Sequence, residues 1–83
     1  MAIIHSCIFN LFERFPEQRE AIRSLFEYNR NFKSLCEDHH KCLEAIRYWK
    51  QSTSDEAPLR SQEYETLLRE LEEDIMEILN QYR

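Results

Sequence analysis

The chain has 83 residues, a formal net charge of -5, 42% hydrophobic and 33% charged residues, and no Gly. That length allows one small domain, which buries a smaller share of its surface than a larger one and so depends on long helix contacts or on a second copy. The acidic balance, with Lys and Arg scattered among acids, disfavours nucleic-acid binding, and the absence of Gly excludes a phosphate-cradling loop and points to an all-α fold.

Ile4, Ile8, Leu11, Phe12 and Phe15 recur at helical spacing, with Ile3 and Cys7 near the same face, and predict a short amphipathic helix over residues 3–15. Its polar face is poor in Lys and Arg, so cover by protein is favoured over docking on a membrane surface. The opening Met1-Ala2-Ile3-Ile4-His5-Ser6 has no basic region and no long apolar run, so neither a signal peptide nor a spanning helix is expected. Three cysteines at spacings of 29 and 6 form no disulfide framework, and a reducing cytoplasm fits them best.

Pro16 stands where a new helix can begin, because its missing N–H would be unpaired in a first turn anyway. From there a seven-residue beat places Ile22, Asn29, Cys36, Leu43 and Lys50 on one heptad position and Leu25, Phe32, His39 and Ile46 on its partner. With no Gly or Pro inside it, this stretch predicts one helix over residues 17–50, about 50 Å long at 1.5 Å per residue. Glu37 with Lys41, and Glu20, Glu27 and Glu44 with Arg23, Arg30 and Arg47, stand at ion-pair spacing on its wet side, each pair contributing only about 0.2–0.5 kcal/mol.

The polar run 51–57 breaks the beat and predicts the connector, after which Pro58 or Ser61 opens a second helix over residues 58–82. Tyr64, Leu67, Leu68, Leu71, Ile75, Ile78, Leu79 and Tyr82 make its apolar stripe, while Glu63, Glu65, Glu70, Glu72, Glu73, Asp74 and Glu77 read as a solvated acidic face. A short connector favours an antiparallel hairpin with Leu43, Ile46, Leu68, Leu71 and Ile75 as core and Leu71 opposite His39. Counted from Ser61 the second helix is about 33 Å long, about 17 Å shorter than the first, which leaves Ile22, Leu25 and Phe26 uncovered. Such an apolar patch marks an interface, covered by the N-terminal helix or by another copy, and Ile4, Ile8, Phe12, Ile22, Leu25 and Phe26 are the residues expected on the subunit or partner surface.

Several of these residues resemble the YdcH-like family of small bacterial cytosolic helical proteins. The resemblance runs over about residues 11–80: Phe15-Pro16-Glu17 with Ile22 and Leu25, Phe32-x-x-Leu35-x-x-x-His39, Leu43-x-x-Ile46, and Leu71-Glu72-Glu73-Asp74-Ile75 with Ile78-Leu79. It implies a helical hairpin without known enzymatic activity. The chain departs from the pattern at Cys36, His40, Cys42 and Glu72, where a bulkier apolar residue, Asn, Leu and Lys are usual.

Chemistry has one candidate cluster. Cys36, His39, His40 and Cys42 stand three or four residues apart on a helix, so two of them, or four across a dimer axis, could meet a zinc ion. The bland alternative is stronger: Cys36 and His39 fall in the seam, where Cys packs as a small hydrophobe and one hydrogen bond satisfies His. Cys36 as a nucleophile with His39 or His40 as base would have no oxyanion pocket. The sequence therefore reads as a non-enzymatic, cofactor-free interaction or assembly module, self-associating through the uncovered helix end, with a small metal or thiol protein as the rival.

Overall fold

The computed structural model describes residues 6–82, so Ile4 of the expected interface lies outside the described residues. Within them the chain is all-helical: α1 Ser6–Arg14, a 3-10 turn Pro16–Gln18, α2 Arg19–Tyr28, α3 Arg30–Gln51 and α4 Ala57–Gln81. The whole spans 45 × 32 × 21 Å. Among the described residues no helix is long and apolar enough to cross a membrane.

α1 buries Cys7 and Leu11, one turn apart, and Phe15 just beyond its end. Phe15 closes the helix with its N–H on the Leu11 carbonyl at 2.8 Å. It then turns out of the helical region at φ -129°, ψ 67°, as a residue before proline prefers, and Pro16 opens the 3-10 turn.

The expected single helix over 17–50 is not formed: the chain breaks at Asn29, which is extended at φ -120°, ψ 107°. This one residue closes one helix and opens the next. Its N–H bonds the Leu25 carbonyl at 2.8 Å, and its Oδ1 accepts the Phe32 N–H at 3.0 Å. Asn is among the strongest N-capping residues, so much of what the break loses in backbone pairing is recovered on the spot. The gain is in burial. A straight rod would carry Ile22 and Leu25 past the end of α4, whereas the break lets α2 bury both in one cluster with Leu11, Phe32, Ile75 and Leu79. Burying two such side chains contributes about 3–6 kcal/mol, against about 0.5–1.5 kcal/mol for each backbone bond lost. Asn29→Ala should therefore lower stability by about 0.5–2 kcal/mol, read as a shifted urea midpoint, while Asn29→Asp should retain most of it.

The broken rod also removes the length mismatch. α3 has 22 residues and α4 has 25, about 33 and 37 Å at 1.5 Å per residue. They pack along one another with Lys50 Nζ 3.2 Å from Glu65 and His39 Nε2 2.9 Å from Glu72. Cys42, Ile46 and Leu71 form a second core cluster flanked by Leu35, Tyr64 and Leu68. Of the expected core, Ile46, Leu71 and Ile75 are buried, but Leu43 is half-buried and Cys42 takes the seam. Leu67 stays exposed.

The connector is residues 52–56, where Ser52 and Ser54 each accept an N–H two residues on. α4 starts at Ala57 and ends at Gln81, one residue ahead of expectation at both ends. Among the described residues none of the ion pairs expected along the long helix is within reach. Glu44 instead meets His40 at 2.9 Å and Glu65 meets Lys50.

Candidate functional site

The Cys/His cluster is dispersed by the helix that carries it. Its four side chains leave α3 toward two neighbours, Cys36 and His40 toward α1 and His39 and Cys42 toward α4. Cys36 is fully buried against α1, in one cluster with Cys7 and Leu11. Burial first, and then the Cys7 thiol and the Glu37 charge, push the Cys36 thiol well above the ordinary range, which leaves it protonated and inert at neutral pH. Cys42 donates to the Tyr64 carbonyl at 3.0 Å, and burial together with the Glu72 charge raises its pKa as well. His40 is held at the surface: Asn10 Nδ2 donates to its Nδ1 at 2.9 Å, and its Nε2–H donates to Glu44 at 2.9 Å. Both ring nitrogens of His40 are thus occupied. Among the described residues no three His, Cys, Asp or Glu side chains converge as a metal ion requires.

His39 is the most informative member. It is 1% exposed in the middle of α3, and its Nε2–H donates to Glu72 Oε2 at 2.9 Å. The other carboxylate oxygen accepts from Arg14 Nε at 3.2 Å. One carboxylate of α4 therefore links α3 to α1. His39 Nδ1 is buried with no hydrogen-bond partner among the described residues. Such an orphan is tolerated because the other nitrogen has a charge-assisted bond. Glu72 was read from the sequence as part of the wet acidic face. The missed signal was present: a register that sets Leu71 opposite His39 puts the next side chain within reach of the imidazole.

The six residues expected at an interface divide. Ile22 and Leu25 are core of the single chain, which corrects their placement on a surface: with α2 folded back, no free end of a long helix remains to present them. Ile8, Phe12 and Phe26 are half-buried, packed against that core yet reaching the surface of the α1–α2 layer. Phe9, 48% exposed, stands edge-on to Phe12 with ring centres 5.9 Å apart, and Arg19 and Arg23 lie over the Phe12 ring.

Beside this layer opens a groove of about 610 Å³ between α1, α2 and the first turns of α3. Ile8 and Phe26 form its apolar part, Arg23, Arg30 and Lys33 carry its positive charge, and Glu27 is its one acid. Tyr28 stands at the rim, 81% exposed. The Lys and Arg residues are thus less scattered than the sequence suggests, since three of them border one apolar floor. Among the described residues Arg23, Arg30 and Lys33 form no ion pair; Arg23 lies over Phe12 and Lys33 over Phe26. The first turn of α3 has no acidic residue, although the positive end of a helix favours one by about 0.3–1 kcal/mol. Arg30 and Lys33 there go against a local rule, and sites that do so without local compensation are where function is expected.

At the other end, Trp49 and Tyr48 meet edge-on at 5.0 Å, and Trp49 lines a cavity of about 280 Å³ with Ala57 and Pro58 under the connector. Trp49 closes the end of the α3–α4 pair, while Tyr48 points to solvent.

No protein-family model, curated protein or solved structure matches the chain.

Proposed function

We propose that the chain is a non-enzymatic protein–protein interaction or assembly module of the cytoplasm, built on an antiparallel α3–α4 hairpin. It presents the α1–α2 layer to its partner. The observation that carries this reading is the open groove beside that layer, with Ile8 and Phe26 within it and the exposed Phe9 and Tyr28 nearby. Aromatic side chains with Arg at the edge are the composition of interface anchors. The same reading is supported by where the reactive groups are spent. His39, His40, Cys36 and Cys42 each hold helices together, and the Cys36 and Cys42 thiols are driven away from the nucleophilic form. It also agrees with the resemblance to YdcH-like bacterial proteins.

Compared with the sequence reading, the contact surface moves. Ile22 and Leu25 support it from beneath, and Ile8, Phe12 and Phe26 reach it. A photo-crosslinking residue at position 28 tests this directly, with the same residue at exposed position 60 as control. A protein adduct at position 28 that is absent at position 60 is expected. Equal or no adduct formation at the two positions would overturn the reading.

A further inference from the structure

We infer that the groove beside α1 and α2 receives the acidic face of α4 from a second copy of this chain, giving a reciprocal dimer. The inference rests on the interaction-module reading and names its partner. The cationic groove is unusual in a chain of net charge -5, so a complementary surface is sought first on the chain itself. α4 supplies it. Glu73 stands three residues before Met76 and four before Glu77, all exposed, and Met76 is 41% exposed beside the two carboxylates. That is an apolar side chain next to negative charge, complementary to an apolar floor bordered by Arg23, Arg30 and Lys33. Among the described residues neither Glu73, Asp74 nor Glu77 forms an ion pair, and the groove cations, although Arg23 and Lys33 lie over aromatic rings, have no carboxylate partner either.

Placement allows the contact to close. Arg30 and Lys33 of the groove and Asn31 and Leu35, which lie beside Asp74, Glu77 and Ile78, all belong to the first turns of α3. The basic and acidic surfaces therefore flank the same end of α3. A two-fold axis near that end sets the groove of each copy against α4 of the other, so the same contact is made twice and no open chain is propagated. Doubling also matters for size, since one groove alone falls short of the about 1,200–2,000 Å² that a stable interface buries.

The test is sedimentation of full-length variants by charge exchange. The groove variant carries Arg30→Glu and Lys33→Glu, and the α4 variant carries Glu73→Lys and Glu77→Lys. All four positions are exposed or half-buried, and circular dichroism reports whether each variant keeps its helices. At about 100 µM, where a Kd near 1 µM would pair almost every chain, the parent should be a dimer. Each variant alone should associate more than tenfold more weakly, because like charges then face one another. Mixed in equal amounts the two variants should form a heterodimer, both of its contacts being complementary again. Parent association should also weaken as salt rises from about 50 to 500 mM. A monomeric parent, or variants that dimerise as well as the parent, would overturn the inference, as would folded variants that fail to pair when mixed. A position-28 adduct with a different protein, together with a monomeric parent, would sink this inference and leave the interaction-module reading standing.

Discussion

Replacing Ile22 by alanine is expected to destabilise the folded chain by about 2–5 kcal/mol, whatever the protein concentration. Ile22 is 0% exposed within one chain, in the cluster that joins α1, α2, α3 and α4, so the cavity left behind has walls from all four helices. A chain of this length has only about 4–12 kcal/mol of stability in total, so the loss is a large fraction of it. Independence of concentration separates this picture from the other cover that the sequence allows, a second copy with Ile22 between subunits. There the variant would dissociate, and its unfolding midpoint would fall on dilution. Denaturation at two concentrations a hundredfold apart decides between them. Tyr28→Ser, at a side chain that is 81% exposed, should change stability by less than about 0.5 kcal/mol under the same conditions.

Glu72→Leu should cost about 1–3 kcal/mol, and His39→Leu should cost much less or nothing. The asymmetry follows from what each change leaves behind. Without Glu72 both nitrogens of a buried imidazole lack partners, since Nδ1 has none to begin with. Without the imidazole, the orphan nitrogen disappears, and Glu72 retains Arg14 and access to water. Leu fills nearly the space of His and is a better helix former. The double variant should accordingly be more stable than Glu72→Leu alone, a coupling of the sign found when a buried polar pair is replaced together. Urea unfolding of the four proteins measures it. Equal losses from the two single variants, with simple addition in the double, would show that the contact contributes nothing.

Helix content and the connector were legible because they rest on local chemistry. The absence of Gly, the apolar period and the Gln51–Ala57 polar run each act within a few residues. The N-terminal amphipathic helix and its stop before Pro16 were legible for the same reason. What was misread turned on competition between distant terms. The heptad beat continues through Asn29 without interruption, and nothing in its spacing shows that α2 gains more from folding back than from running straight. The clue was chemical: an N-capping residue in a position the beat reserves for an apolar one. Arg14 was illegible for a related reason, because its bond to Glu72 exists only once α1 lies across the α3–α4 seam. The basic groove had a signal of its own, because Arg23, Phe26, Arg30 and Lys33 stand at three- and four-residue spacing and so share one helix face.

The decisive measurement is an isotope-filtered NOE experiment on an equal mixture of labelled and unlabelled chains, observing the Leu11 and Ile22 methyl groups against the Phe32 and Ile75 side chains. Cross-peaks within one chain, absent from the interchain-filtered spectrum, are the result expected from α1 and α2 folding over their own α3 and α4. The same cross-peaks appearing between labelled and unlabelled chains would mean that this core belongs to a second copy, and the fold described here would be wrong at its centre.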